Sequence, residues 1–319
     1  MDKSNTAYLQ TLSFAKLAGK DPAELSKLLD ACKQQGFFYL DLAGSDAAQG
    51  LEDRLKALSL TKEWFDRPME EKMKLRQDSV TKGYKPIGTL SGVVKNKKDG
   101  FENIKMPRDD FINGADSLPE GLIDHIELFR RDLDCSHKVT NTILSCLSDL
   151  LKPSVRFEDN HRGDKASQST MMYFRYAKQD ANKDTGVGHN MHTDLGTLTL
   201  LYCEQWGLQV YNQTNNTWAY VVPKPSHYVV NVGDALRFFS GNQLLSALHR
   251  VVPVPGHETE YRYSTAYFLR PENEAKFQTS ENTFVSALDW HDRKYDIFKA
   301  DHAEQEKNTI LTGGIGVQG

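Results

Sequence analysis

Histidines followed two positions later by an acidic residue are the first candidates for chemistry in this sequence, because imidazole and carboxylate groups together bind transition metals. With ten His and 43 Asp or Glu among 319 residues, about one such pair is expected by chance. Three occur, beginning at His125, His192 and His302. Side chains two positions apart share a face of a strand but diverge on a helix. The element that carries each pair therefore decides whether the pair can hold a metal.

The pair His192 and Asp194 lies at the start of a strand-like run, LGTLTLLYC at 195–203. His125 and His302 lie in segments with helical spacing, which would turn their acidic partners away from them. At the mouth of a strand, both His192 and Asp194 can face one interior while the residue between them faces the other side. We therefore expect this pair, and neither of the others, to contribute metal ligands.

A second histidine has to come from a neighbouring strand, and His249 in SALHRVV is the best candidate. His189 and His227 also lie beside strand-like runs and compete with it. Two imidazoles and one carboxylate on one face of a metal leave coordination positions open, which is typical of non-haem Fe(II) oxygenases. The sequence therefore predicts a metal site formed by His192, Asp194 and His249.

Arg262 and Ser264 are candidates for holding an anion, and they begin 13 residues beyond His249 on another strand-like run. Their spacing places both side chains on one face of that strand. A guanidinium group can give two parallel charge-assisted hydrogen bonds to a carboxylate, and a hydroxyl can give a third. The alternative is a structural ion pair of Arg262 with one of the many acidic residues.

The elements that must position these residues change character along the chain. After about residue 168, short β-rich runs are separated by turn residues. The runs are STMMYFRYA, LGTLTLLYC, GLQVYN, TWAYVV, SHYVVNV, ALRFFS, HRVVPV and YRYSTAYFL. Eight strands at intervals of about ten residues predict a β-sandwich or barrel.

Helical spacing predominates before and after these strands. Asp21 as N-cap and Pro22 as first residue open a helix that ends at Gly36, before a short buried strand at 37–42. The further helical stretches are about 47–75, 120–151 and 280–309. We expect a helical N-terminal region at 1–165, a β core at 166–275 and a helical C-terminal extension at 276–319.

Composition excludes several classes of protein. A net charge of −4 argues against a nucleic-acid-binding surface. No run approaches the 18 apolar residues of a membrane span, and MDKSNTAYLQ lacks the apolar core of a signal peptide. The four Cys have no CxxC spacing, which argues against a zinc ribbon or a thioredoxin-like motif. We expect a soluble, cytoplasmic protein.

The stretch 171–271 resembles the core of the isopenicillin N synthase-like family of Fe(II)- and 2-oxoglutarate-dependent dioxygenases. The matching segments, in family order and spacing, are HTDLGTLTLLYCEQWGLQVYN, W-x-x-V-x-P at 218–223, VVNVGDALRFFSGN, SALHRVVPV and RYSTAYFLRP. GFFYLDL and EEKMKL…KGYKPIG resemble the family's N-terminal region. The resemblance implies a mainly β protein with flanking helices (α+β) whose core is a double-stranded β-helix, or jelly roll.

The resemblance also implies roles for individual residues. The residues that match the iron ligands are His192, Asp194 and His249. The residues that match the 2-oxoglutarate site are Arg262 and Ser264, for the distal carboxylate, and Tyr176. Phe174 stands where the family usually has Asn, which is a departure from the cosubstrate pattern.

Two aromatic residues are candidates for the substrate pocket. Phe268 matches a family position that often lines this pocket. Tyr84, in KGYKPIG, is a candidate for a lid or pocket wall, and the alternative is a tyrosine packed under its own loop.

By resemblance, the protein is an enzyme that uses Fe(II), with 2-oxoglutarate and O2 as cosubstrates and ascorbate as a candidate reductant. The implied reaction is oxidation of an unactivated C–H bond of a small organic substrate, by hydroxylation, desaturation or ring closure, in secondary-metabolite biosynthesis. A small-molecule substrate is the expected partner, with no nucleic acid, no membrane and no obligate protein partner.

Three other functions are alternatives. An oxidase like isopenicillin N synthase takes all four electrons from its substrate and also carries an Arg-x-Ser pair, and the penultimate Gln318 could serve such a site. A jelly-roll binding module with a vestigial metal site is the second alternative. A zinc hydrolase is the weakest, because the 55 residues from Asp194 to His249 fit no H-E-x-x-H helix.

Overall fold

Two β-sheets pack against each other in the computed structural model, which describes residues 5–114, 118–178, 188–254 and 260–314. The strands are β1 (Thr11–Ser13), β2 (Phe37–Asp41), β3 (Gly83–Lys85), β4 (Phe101–Pro107), β5 (Thr170–Tyr176), β6 (His189–His192), β7 (Leu198–Tyr202), β8 (Leu208–Asn212), β9 (Thr217–Tyr220), β10 (His227–Val232), β11 (His249–Val251), β12 (Arg262–Leu269), β13 (Lys276–Gln278) and β14 (Phe284–Ser286).

Helices cover the outside of this β structure. They are α1 (Phe14–Ala18), α2 (Pro22–Gln34), α3 (Ala48–Phe65), α4 (Met69–Met73), α5 (Arg108–Ile112), α6 (Ile126–Leu151), α7 (Asp234–Phe239), α8 (Ala287–Lys299) and α9 (His302–Gln305). Within the described ranges, none of them has both the length and the apolar character needed to cross a bilayer.

The large sheet has the strand order β1-β2-β10-β7-β12-β5-β4-β3, and the small sheet has the order β6-β11-β8-β9. Neighbouring strands are antiparallel except for β1, which runs parallel to β2. The predicted β core with flanking helices is therefore confirmed. The boundaries expected at 165 and 275 remain a prediction, and β1 to β4 of the first region complete the large sheet.

The period of two residues divides each central strand between two cores. On β10, Tyr228 and Val230 belong to the core beneath the helices, whereas Val229 packs in the core between the sheets. Asn231, two positions after Val229, lies on the same face as Val229 and faces the space between the sheets. The side chains between the sheets are therefore the ones available for a site.

Helix α6 carries the main apolar stripe of the helical layer. Val139, Ile143 and Leu147 recur at helical spacing and are fully buried against the outer face of the large sheet. The helix ends at Leu151, where Lys152 adopts a left-handed conformation ahead of Pro153. The stop expected at Pro153 and the N-cap expected at Asp21, which accepts from the Glu24 N–H, are both present.

Some expected elements were wrong. The segment ALRFFS is helix α7 rather than a strand, because a short apolar run does not distinguish the two states. Its start is fixed by backbone contacts, since the Asp234 N–H donates to the Asp194 carbonyl at 2.7 Å. The helix expected at 47–75 is interrupted at Pro68 into α3 and α4. The hairpin β13–β14 and the short strand β6 were not predicted.

Candidate metal centre

The two predicted histidine ligands lie side by side on paired strands. His192 ends β6 and is directly opposite His249 in the antiparallel register with β11. Opposed residues of an antiparallel pair share a face, and the two ring centroids are 4.3 Å apart. Asp194 follows two residues later, and one ligand atom from each of these three buried residues lies within 4.8 Å of the others. The structure therefore brings the predicted triad together.

Backbone carbonyls orient both imidazole rings. The Nδ1 of His192 lies 2.7 Å from the Asn190 carbonyl oxygen, and the Nδ1 of His249 lies 3.2 Å from that of Ala247. A carbonyl only accepts, so Nδ1 of each ring is the donor and Nε2 keeps its lone pair. The Nε2 atoms of His192 and His249 lie 3.5 and 3.8 Å from Oδ1 of Asp194. This tautomer, with the second nitrogen held by the protein, is the usual one for metal-bound histidine.

The two carboxylate oxygens of Asp194 have separate partners. Oδ2 accepts hydrogen bonds from Thr199 Oγ1 at 2.5 Å and from Asn231 Nδ2 at 2.7 Å. Oδ1 is left facing the imidazoles. Burial alone would raise the pKa of Asp194, but His249, His192 and the Asn231 hydrogen bond together lower it, so the carboxylate is ionised.

These donors fit a divalent transition metal. Burial, followed by the neighbouring His192, lowers the pKa of His249 to about 4, which leaves a neutral imidazole at neutral pH. Neutral imidazole nitrogens and an ionised carboxylate are the forms that bind metals. Two nitrogens and one oxygen converge from one side, and this arrangement fits Fe(II) with coordination positions open.

The competing histidines lie elsewhere. The ring of His189 packs on that of His192 with centroids 4.4 Å apart, and it forms part of the wall rather than of the ligand cluster. Burial and the two neighbouring histidines lower the pKa of His189 well below its ordinary value. His227 begins β10, and its Nδ1 lies against the Pro225 carbonyl at the surface.

A cavity adjoins the triad, and we call the part that extends to Arg262 the Arg262 lobe. Its lining includes Tyr176, Ser264, Arg262 and the three residues of the triad. Arg262 opposes Tyr176 across β12 and β5, with the guanidinium 4.8 Å from the ring centroid. Its Nε donates to the Trp206 carbonyl at 2.9 Å, and one Nη lies 3.5 Å from Ser264 Oγ.

The Arg262 lobe has the properties of an anion site. No described carboxylate forms a salt bridge with Arg262, so the alternative of a structural ion pair has no partner in these ranges. Burial raises the pKa of Tyr176 to about 12, which keeps its phenol a hydrogen-bond donor. Phe174 brings an apolar ring to the same lobe.

A second lobe shares His192 and Asp194 with the first, and we call it the Lys105 lobe. Its lining is Val80, Lys85, Leu90, Phe101, Asn103, Lys105, Met172, Phe174, His189, His192, Asp194, Leu195, Phe268, Arg270, Tyr295 and Phe298. The expected pocket residue Phe268 lines both lobes. His192 and Asp194 also belong to both, so the two lobes meet at these two residues.

Tyr84, the other expected pocket residue, lies away from both lobes. It is fully buried on the helical side of β3, packs on Trp64 and donates to the Glu102 carboxylate. Adjacent residues of a strand face opposite sides, so Lys85 is the one that reaches the Lys105 lobe. The packed-tyrosine alternative describes Tyr84, and its expected place in the pocket wall is wrong.

Sequence reasoning missed the residues that hold the loop between the ligands. Lys294 of α8 is completely buried, and its Nζ donates to Thr193 Oγ1 and to Asp234 Oδ2, each at 2.6 Å. Thr193 lies between His192 and Asp194, so α8 is tied to the ligand loop. Spacing gives no indication of this contact, because 101 residues separate Lys294 from Thr193.

Two family descriptions match the chain. The 2OG-Fe(II) oxygenase superfamily matches residues 168–271, and the description "non-haem dioxygenase in morphine synthesis N-terminal" matches residues 9–120. A 2-oxoglutarate-dependent dioxygenase of Gibberella zeae is 42% identical over 97% of this chain and 93% of its own length. Another, gloE of Glarea lozoyensis, is 42% identical over 98% and 94%.

Solved structures share the fold. A full-length protein of Neurospora crassa, crystallised in complex with alpha-KG, superposes with a TM-score of 0.74 at 19% identity, covering 93% of this chain and 98% of that one. The dioxygenase for auxin oxidation from rice gives a TM-score of 0.67 at 21% identity over 91% and 95%. These similarities extend over both the helical and the β parts of the chain.

Proposed function

This chain belongs to the 2-oxoglutarate- and Fe(II)-dependent dioxygenases, and on that premise we propose that His192, Asp194 and His249 are its iron ligands. The observation that carries the proposal is the orientation of the two imidazoles, whose Nδ1 atoms are engaged by backbone carbonyls while Nε2 faces Asp194. Each of the three buried residues offers one ligand atom within 4.8 Å of the others, and two imidazoles with one carboxylate are the ligand set of non-haem Fe(II) oxygenases.

We place the cosubstrate in the Arg262 lobe. Arg262 and Ser264 would bind the distal carboxylate of 2-oxoglutarate, and Tyr176 would add a phenol hydroxyl. The guanidinium is already oriented by the Trp206 carbonyl, so little side-chain freedom is lost when the anion binds. Phe174 contributes apolar contact where the family pattern has an amide.

Fe(II), with 2-oxoglutarate and O2, supplies the oxidising equivalents that remove hydrogen from an unactivated C–H bond. The chain contributes binding and orientation. Asn231 and Thr199 hold Asp194, and the carbonyls of Asn190 and Ala247 hold the imidazoles.

The partner of this enzyme is a small organic molecule, and the setting is cytoplasmic secondary metabolism. The net charge of −4 and the small cavity at the triad support this proposal over a nucleic acid or a membrane surface. Ascorbate is the proposed reductant that maintains Fe(II). Hydroxylation is the simplest outcome, and desaturation and ring closure differ from it only in how the substrate is placed.

The four-electron oxidase is the competing function. The relatives named above are 2-oxoglutarate-dependent dioxygenases, which favours use of the cosubstrate. Gln318, on which the oxidase alternative drew, lies outside the described residues.

Turnover of 2-oxoglutarate tests this function directly. The purified enzyme with Fe(II), ascorbate, O2 and 2-oxoglutarate should form succinate, slowly even without the natural substrate, and Arg262→Met should raise the KM for 2-oxoglutarate at least about tenfold. Arg293→Met, which removes an exposed arginine of α8, is the matched control. Oxygen uptake without succinate would instead establish the oxidase.

A further inference from the structure

The Lys105 lobe contains two buried cations that form no salt bridge with a described carboxylate. Lys105 and Arg270 are each about 5% exposed, and neither forms a salt bridge with a described acidic residue. Their recorded partners are backbone carbonyls, that of Ser79 for Lys105 and that of Gln168 for Arg270. The Nε of Arg270 is buried without any hydrogen-bond partner.

The charge of a third cation is already balanced by a carboxylate. Lys85 also lines the lobe, but it is paired with Asp99 and donates to the Phe101 carbonyl. Burial, then Lys85 and Arg270, lower the pKa of Lys105 to about 8, and the exposed Asp78 offsets part of their effect. Burial lowers the pKa of Arg270, and Asp194, which also lines the lobe, offsets part of that effect. Asp194 and Asp99 together offset two of the three cations, so the lobe still has a net positive charge before anything binds.

Strand geometry delivers these groups to one place. Phe101, Asn103 and Lys105 alternate on β4, so all three face the space between the sheets. Asn103 Oδ1 is buried without a partner as well. Its amide is a neutral group that can bond a polar atom of a ligand beside the two cations.

The rest of the lobe is apolar. The rings of Phe101, Phe174, Phe268 and Phe298 surround the cations, and the ring of Phe298 lies 5.2 Å from that of His192. The volume of the lobe is about 100 Å³. It can hold a short chain or a single ring next to the ligand triad.

Burying unpaired cations in such a place costs stability. Proteins keep such groups where a ligand supplies the missing charge. We propose that the substrate of this enzyme is a small organic acid, whose carboxylate binds Lys105 and Arg270 and whose apolar body lies against the phenylalanine rings beside the iron ligands. This inference rests on the proposed function, because it takes the Lys105 lobe as the substrate side of the metal centre.

Pairs of an acid and its primary amide test the proposal. The probes are straight-chain and phenyl-substituted monocarboxylic acids, each with the amide of the same skeleton. Binding is measured by calorimetry on the anaerobic enzyme loaded with Fe(II) and with 2-oxoglutarate just sufficient to saturate its visible band, so that the Arg262 lobe is filled. The best acid should bind at least about tenfold more tightly than its amide.

Variants that each remove one positive charge test whether Lys105 and Arg270 cause the preference for the acid over its amide. Lys105→Met and Arg270→Met should each weaken the acid about tenfold to a hundredfold and leave the amide unchanged. Lys138→Met removes an exposed lysine of α6 and should change neither the affinity for the acid nor the affinity for the amide. The proposal is overturned if no acid binds more tightly than its amide, or if the preference survives in both variants. Absence of the 2-oxoglutarate band in wild type would instead refute the proposed function.

Discussion

At the scale of single residues, the site depends on groups that hold the ligands as much as on the ligands. Asp194 is fixed by two hydrogen bonds to one oxygen, which leaves the other oxygen aimed at the imidazoles. Partners of this kind commonly change metal affinity by about tenfold to a hundredfold.

Thr199→Val should therefore weaken Fe(II) binding about tenfold. The replacement keeps the shape of the side chain but removes the hydroxyl that donates to Asp194. Calorimetric titration of the metal-free enzyme with Fe(II) under anaerobic conditions measures the change in Fe(II) affinity. Thr217→Val, at an exposed threonine of β9, is the matched control. Equal Fe(II) affinity in the two variants would show that the hydroxyl does not support the ligand.

Lys105→Met should stabilise the protein at neutral pH by roughly 1–3 kcal/mol. Burial holds the pKa of Lys105 at about 8 in the folded state, below its ordinary 10.5. Below about pH 8 both states carry the proton, so folding bears the full cost of the buried charge. Between about pH 8 and pH 10.5 only the unfolded state keeps it, so wild-type stability rises with pH relative to the variant.

Urea unfolding of wild type and Lys105→Met at neutral pH and at about pH 10 measures this difference. The difference in the free energy of unfolding between wild type and Lys105→Met should become smaller as the pH rises. Lys138→Met should have the stability of wild type at both pH values. A variant that is less stable than wild type at neutral pH would show that Lys105 is structural.

The pair His192 and Asp194 could be predicted from the sequence because side chains two positions apart share a face only on a strand. The other two H-x-D/E pairs lie in segments with helical spacing, which left this pair as the metal-binding candidate. Lys105 and Arg270 could not be predicted, because a lysine in a polar stretch such as NIKMPRDD is usually solvated. The burial of Lys105 follows from β4 pairing with β5, a contact between residues about 70 positions apart in the sequence, and Arg270 directly follows β12, which also pairs with β5. Tyr84 failed for a related reason, since only the register of β3 decides which of two adjacent residues faces the cavity.

At the scale of elements, α8 and α7 hold the ligand loop from outside the β core. Lys294, Asp234 and Thr193 form a fully buried contact in which a charged pair is satisfied by a hydroxyl. Removing one partner of such a pair leaves a buried charge without compensation, whereas removing both does not.

Lys294→Met should therefore destabilise the protein by about 3–5 kcal/mol. Lys294→Met combined with Asp234→Asn should recover only part of that loss, because Arg237, 3.6 Å from Asp234 Oδ1, then lacks its carboxylate. Urea unfolding of the metal-free proteins measures both. Lys299→Met, at the exposed end of the same helix, should have little effect. If the single and double variants unfold alike, the pair does not couple α8 to the loop.

Element types were predictable where periodicity ran long, as in α2 and α6, and failed where runs were short. Helix α7 is apolar on too few residues to show a period, and its start is set by a tertiary hydrogen bond to Asp194. The four-residue strand β6 carries His192, but only its pairing with β11 identifies it as a strand.

At the scale of the whole molecule, the two lobes meet at His192 and Asp194. The Arg262 lobe provides a guanidinium and hydroxyls, and the Lys105 lobe provides two unpaired cations with aromatic walls. A cosubstrate on one side and an acidic substrate on the other would bring their reacting atoms to the same metal, which is the positioning that the reaction requires.

The overall architecture followed from the sequence to the level of a β core with helical wrapping. The order of the strands did not, because β2 and β4 come from the N-terminal region and pair with the distant strands β10 and β5. No local pattern specifies those partners, which are set by the core between the sheets.

Anaerobic titration of the enzyme with Fe(II) and 2-oxoglutarate tests the central claim most directly, because a visible absorption band appears only when the cosubstrate binds the iron. We expect the band in wild type and in Arg293→Met. We expect it to be lost in His249→Ala, and to need at least about tenfold more 2-oxoglutarate in Arg262→Met. A wild-type enzyme without the band, or a band of unchanged strength in His249→Ala, would contradict the assignment of the metal centre.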